Sequence, residues 1–210
     1  MDFDFGLTAL GGKFHMDWRH EGDTPRDLVR RWAALVGDDE TGRERLRLLD
    51  EDTRLLLASP LSDDDIHALW RAAAMFYPFY PVAGEEPARG RAWLTEIESE
   101  LRPHFPEPGG EPSAVASSDA ERAAVVALAG RLTPRSESAL EPLSAPTVTG
   151  AVERCATLVS AALAFRFLLH AYSTYNSPVP ASSWAVFEEL NHSFGYGEFM
   201  LSTIEYLREE

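Results

Sequence analysis

Apolar positions along the chain recur with the period of helices, and polar residues mark where each helix begins. Leu28, Trp32, Leu35 and Val36 fall on one face of a first such segment. Its start has a physical cause: Thr24 caps, Pro25 suits the first turn because it has no N–H to waste, and Asp27 closes a T-x-x-D capping box. A second helix is predicted from about Arg43 to Ala58, with Leu46, Leu49, Thr53 and Leu56 at heptad-like spacing, stopping before Pro60. Ser62 opens a third, with Asp63, Asp64 and Asp65 in the first turn, where the helix dipole favours negative charge. Ile66, Leu69, Trp70, Ala73, Phe76 and Tyr77 give it a broad apolar stripe, and it ends near "YPFYP", because Pro78 and Pro81 disfavour helix in the residue before them. A fourth, from about Ala88 to Leu101, presents Trp93, Leu94, Ile97 and Leu101.

The pattern breaks at "RPHFPEPGGEPSAVASS", Arg102 to Ser118, which is loaded with Pro, Gly and Ser and has little to bury. It divides the chain into a helical domain over residues 1–105, a linker over 106–118 and a second helical domain or bundle extension over 119–210. In the second half a helix is predicted around Asp119 to Leu132, then an irregular stretch with Pro134, Pro142 and Pro146. One long helix follows, about Thr149 to Tyr175, apolar nearly all round from Cys155 to Tyr172, as expected of the buried centre of a bundle. Two short helices come last, one after Pro180 with Trp184, Phe187 and Leu190, and one near Glu198 to Leu207 with Phe199, Ile204 and Leu207. Phe3, Phe5 and Leu7 alternate too briefly to argue for a sheet. The expected fold is all-α, a helical bundle in two halves.

Composition sharpens this picture in three respects. At 210 residues and 45% hydrophobic, the chain can bury a real core without disulfides or metals. Its single cysteine, Cys155, cannot form an internal disulfide, and no secretory leader pattern precedes the first helix, so a reducing, cytoplasmic setting is expected. The apolar run from Cys155 to Phe165 falls short of the roughly 18 to 20 residues that cross a bilayer, and Arg166 interrupts it. The third respect is charge. The net charge of -15 is spread over the whole chain, -8 in residues 1–105 and -7 in 106–210. Such a surface repels phosphate backbones, which argues against direct nucleic-acid binding, and steers basic protein partners toward it. Solubility alone is the plainer explanation of the same acidity. Eighteen of the nineteen bases are arginine and alanine is abundant, which suggests a high-GC bacterial gene.

Candidate chemistry is sparse. His15, Asp17 and His20 read as H-x-D-x-x-H, with Glu21 and Asp23 behind them, and these residue types bind zinc or iron or shuttle protons. The spacing differs from that of H-E-x-x-H on a helix face, and no second cluster completes a shell. The competing reading is local: Phe14 and Trp18 anchor the segment while His15 and Asp17 make short-range hydrogen bonds. His170, in the most apolar helix, reads as a core histidine, and Cys155 as a buried, inert thiol. Gly195 and Gly197 in "FGYGEF" match neither a phosphate loop nor a nucleophile elbow. No catalytic residue, cofactor or metal is assigned.

The motif "FHMDW", Phe14 to Trp18, followed by "EGD" at Glu21 to Asp23 and "TP" at Thr24 and Pro25, resembles the contact-dependent growth inhibition immunity proteins, a family of small bacterial proteins. The family motif residues here are Phe14, His15, Asp17, Trp18 and Trp93. "PLSDDD" at Pro60 to Asp65 and "WL-x-x-I-x-x-x-L" at Trp93 to Leu101 extend the resemblance over roughly residues 5–105. Met16 stands where members commonly have Gln, and residues from about Ser118 onward resemble nothing in the family.

The resemblance implies a protein that binds a cognate toxin domain in the cytoplasm and blocks it. Such toxins are often basic nucleases, which an acidic inhibitor would meet by electrostatic steering. Candidate toxin-binding residues are the acidic runs Asp38, Asp39 and Glu40; Asp50, Glu51 and Asp52; and Asp63, Asp64 and Asp65, with Phe79 and Tyr80 of "FYPFYP" as aromatic anchors. Two other readings stay open: a metal protein or hydrolase using His15, Asp17 and His20, and a regulatory interaction protein with no toxin partner. The sequence leaves oligomeric state open.

Overall fold

Reciprocal caps start three of the helices. In the computed structural model, which describes residues 3–74, 88–105, 114–135 and 143–209, α2 (Pro25–Val36) begins with Thr24 Oγ1 accepting from the Asp27 N–H at 3.1 Å and Asp27 Oδ2 accepting from the Thr24 N–H at 3.1 Å. Ser62 and Asp65 do the same for α4 (Asp63–Ala73), and Ser118 and Glu121 for α6 (Asp119–Ala129). Each box satisfies two backbone donors that the first turn leaves unpaired. Asp39 caps α3 (Glu40–Leu57) by accepting from the Gly42 N–H at 2.7 Å, so this helix starts three residues before the sequence-based start at Arg43. The corner between α2 and α3 is tight enough that a Cβ on Gly42 would collide with the Val36 carbonyl.

The remaining elements are α1 (Gly6–Gly11), α5 (Gly90–Leu101), α7 (Ala145–Leu158), α8 (Ala161–Thr174), α9 (Ala181–Ser193) and α10 (Ser202–Glu205). Short 3-10 turns occupy Trp18–His20, Arg102–His104 and Glu198–Leu201. The fold is all-α. Among the described residues there is no strand, only a parallel bridge between Val179 and Arg208 that ties the last residues to the turn after α8. No helix among them is long and apolar enough to cross a membrane.

Two sequence expectations change here. The single helix over 149–175 is two, α7 and α8. The chain bends at Val159, and Ser160 then caps α8 by accepting from the Leu163 N–H at 3.2 Å. Leu35 does not share the buried face of α2, which consists of Leu28, Val29 and Ala33; it is 76% exposed. The aromatics Phe79 and Tyr80 and linker residues 106–113 lie outside the described residues. Residues 114–118 form a largely exposed approach to α6.

The core is one continuous cluster running from Leu7 to Leu207. Helix α4 packs on α1 and α5 of the first half and on α7 and α8 of the second. Phe14, Trp70 and Trp93 meet edge to face or tilted, with ring centroids 5.4 to 6.0 Å apart, and Trp18 lies against Phe14 at 5.4 Å. A second aromatic group, Phe165, Tyr172 and Phe187, fills the space between α8 and α9. These rings pack into a core that is otherwise mostly Leu, Ala and Val, and burial of that whole apolar set drives folding.

Candidate functional site

The "FHMDW" segment divides by burial. Phe14 and Trp18 are fully buried against Trp70 and Trp93, so the motif's rings join α1 and the first 3-10 turn to α4 and α5. Its polar members face outward. His15 lies 3.2 Å from Glu21 and accepts from the Asp17 N–H at 3.2 Å, and His20 is exposed. Among the described residues no group of three or more His, Cys, Asp or Glu side chains is placed to hold a metal ion.

The acidic runs separate into buried ties and free surface. Asp52 is 8% exposed and points inward: Oδ1 accepts from Arg166 Nη2 at 2.6 Å and Oδ2 from the Leu7 N–H at 2.9 Å. Asp65 is equally buried. It accepts from the Ser62 N–H in the α4 cap and from Arg154 Nε of α7 at 2.9 Å. Burial pushes the Asp65 carboxyl up, but the Arg154 and Ser62 hydrogen bonds and the Arg154 charge outweigh it, so the group stays below the usual carboxylate range. Asp52 and Asp65 are therefore removed from the predicted toxin-binding set, because their oxygens are spent inside the fold. Asp50 is half-buried 3.6 Å from Arg54, and burial raises its pKa.

Around Asp52 a polar network forms that the sequence reading did not find. Arg166 is buried in α8 and donates from Nη1 to the Phe5 carbonyl at 2.7 Å, with its guanidinium 4.2 Å from the Phe5 ring centroid. Burial opposes the Arg166 charge, and Asp52 outweighs it, so the guanidinium is firmly protonated. Asp4 accepts from Thr8 Oγ1 at 2.6 Å and lies 2.8 Å from His170 Nε2. Gly6, at φ +65, sits where a Cβ would strike Asp52 Oδ2. The only hint in the sequence is an arginine inside the most apolar helix, a charge that demands a partner from elsewhere. Cys155 lies fully buried nearby, and burial, with Asp52, pushes its thiol up to about 12.

What remains for a partner is the exterior. Asp63 is paired with Arg91 at 3.0 Å and Asp64 approaches Arg89 at 3.9 Å, so α5 compensates the amino terminus of α4. Glu51 is paired with Arg47. Asp38, Asp39 and Glu40 are different. They are exposed at the α2–α3 corner, and among the described residues no ion pair engages them. Leu35 projects from the last turn of α2 just before them.

No protein-family model, curated protein or solved structure matches this chain. The geometry alone therefore ranks the surfaces. The α2–α3 corner combines an exposed leucine with three carboxylates that no ion pair engages among the described residues, Asp39 also serving as the α3 cap.

Proposed function

We propose that the protein is a neutralising binder of a basic protein domain, of the contact-dependent growth inhibition immunity type. The observation that carries this reading is the α2–α3 corner, where among the described residues no ion pair engages Asp38, Asp39 or Glu40 and Leu35 just before them is exposed, on a chain of net charge -15. Uncompensated carboxylates around an apolar anchor favour fast encounter with a basic partner, followed by desolvation of a small apolar centre. The motif segment supports the reading indirectly. Phe14 and Trp18 pack with Trp70 of α4 and Trp93 of α5, and α5 in turn packs on α2 and α3, the helices that form the corner.

The proposal requires a toxin gene beside this one, and expressing the toxin domain it encodes with and without the protein tests it. Restored growth together with a one-to-one complex on co-purification is the expected result. An active toxin that is neither bound nor inhibited by soluble protein overturns the proposal. Metal analysis of untagged protein addresses the competing reading of His15, Asp17 and His20, since a stoichiometric transition metal favours that chemistry instead.

A further inference from the structure

A groove of about 480 Å³ runs between the amino-terminal segment, α2, α3 and the carboxy-terminal turns, apart from the α2–α3 corner. Its walls are aromatic. Phe3 and Phe199 stack at its rim with centroids 4.9 Å apart and an interplanar angle of 13°, both well exposed, and Phe5 and half-buried Trp32 line it. Monomeric proteins seldom leave aromatic rings clustered at the surface without use, and the volume suits a small organic ligand.

Charge in the groove runs against the rest of the molecule. Lys13, the chain's single lysine, and Arg45 both border it, and no ion pair or hydrogen bond engages either side chain among the described residues. Eight arginines elsewhere, Arg26, Arg30, Arg47, Arg91, Arg122, Arg135, Arg154 and Arg166, are held by carboxylates, whereas Arg43 and Arg102 share with Arg45 the lack of an ion pair among the described residues. The carboxylate that does line the groove, Asp4, is already spent: Oδ1 accepts from the Phe5 N–H at 2.9 Å and from Thr8, and Oδ2 faces His170. The uncommitted charge is therefore positive, on a protein with an excess of fifteen negative charges.

We propose that this groove binds a small aromatic anion, a carboxylate or phosphate whose charge lies between Lys13 and Arg45 and whose ring packs among Phe5, Trp32 and Phe199. Two cations select the anion, and the rings select an aromatic body over inorganic phosphate. This goes beyond neutralisation of a partner and does not depend on it.

The test uses the whole purified protein with 3-phenylpropionate and phenyl phosphate as probes. Calorimetry and amide chemical-shift mapping at low ionic strength are the readouts, with 3-phenylpropan-1-ol and 3-phenylpropylamine as neutral and cationic controls. Saturable binding of the anions, with shifts at Lys13, Trp32 and Arg45 and weaker binding of both controls, is expected. Lys13→Gln and Arg45→Gln should each weaken the anions by about tenfold, as for loss of one charge-assisted hydrogen bond. Lys13→Arg should preserve binding, and Arg102→Gln, outside the groove, should leave it unchanged. The assignment is overturned by alcohol or amine binding as tightly as the anion, by Gln variants that bind normally, by shifts that map elsewhere, or by no saturable binding at millimolar probe. A Phe-containing acidic peptide that binds where the small anions do not would replace the small-molecule assignment with a protein ligand.

Discussion

Asp52 of α3 and Arg166 of α8 form a buried ion pair, 2.6 Å between Oδ1 and Nη2, and the same carboxylate caps α1 through the Leu7 N–H. Two charges removed from water in this way are tolerated because Asp52 accepts two hydrogen bonds and Arg166 also donates to the Phe5 carbonyl. Arg166→Met should destabilise the protein by about 3 to 5 kcal/mol, since it strands a buried carboxylate. The double variant Asp52→Leu, Arg166→Met should recover a large part of that loss. Urea unfolding of the two singles and the double checks this as a mutant cycle; simple additivity would mean that the pair is not coupled.

Gly6 stands at φ +65 with Asp52 Oδ2 in the space a side chain would enter. Gly6→Ala should cost more than about 2 kcal/mol, from backbone strain and displacement of the carboxylate together. Gly12→Ala in the same segment meets only ordinary contacts, with the nearest atom at 3.5 Å, and should change stability little. Thermal unfolding of the two variants side by side decides it.

His67 of α4 is buried, its Nδ1 has no partner among the described residues, and burial, followed by the charges of Arg89 and Arg71, lowers its pKa to about 4. The unfolded chain binds this proton more readily, near pH 6.5. Stability from the neutral ring is thus fully present above about pH 6.5 and is lost as pH falls toward 4, a change on the order of 2 kcal/mol. Urea midpoints across that window should decline in the natural protein, and His67→Gln should flatten the decline. An identical slope in both would show that other groups cause it.

Asp38→Lys with Glu40→Lys should slow association with a basic partner by about tenfold at low salt and cost folding no more than about 1 kcal/mol, the loss coming from Glu40 in the first turn of α3. Asp39 is left in place, since it caps α3. Leu35→Ala should act mainly on dissociation. Stopped-flow association at two ionic strengths separates the effects, and an unchanged rate for the charge-reversed variant excludes this corner as the steering surface.

Helix starts were legible wherever the cap is local. Thr24 with Asp27 and Ser62 with Asp65 lie three residues apart, and each pair closes the box that its letters announce. Helix α1 was not legible for the opposite reason. Phe5, at its N-cap, provides no side-chain cap, and the Leu7 N–H is satisfied from 45 residues away. The break at Val159 escaped because neither Pro nor Gly marks it, and Ser160 alone carries the signal. In the candidate site, composition exposed the acids but could not sort them. Asp52 and Glu51 are adjacent letters, yet Asp52 lies on the buried face with Leu49 and Leu56 while Glu51 does not, and the arginine that receives the Asp52 carboxylate stands 114 positions away. Lys13 and Arg45 stand 32 positions apart and share a groove only because α1 folds beside α3.

A chain emerging from the ribosome meets the distal cap of α1 in a particular order. Once α3 is out, Asp52 can reach Leu7, but Arg166 is still unsynthesised, and so is Arg154, the partner of Asp65. Until α7 and α8 arrive, the nascent first hundred residues hold two carboxylates without their arginines, and the face of α4 that packs on α7 and α8 is uncovered. A version truncated after α5 should therefore reach the cell as a chaperone client, because the second half supplies both arginines and the cover of α4.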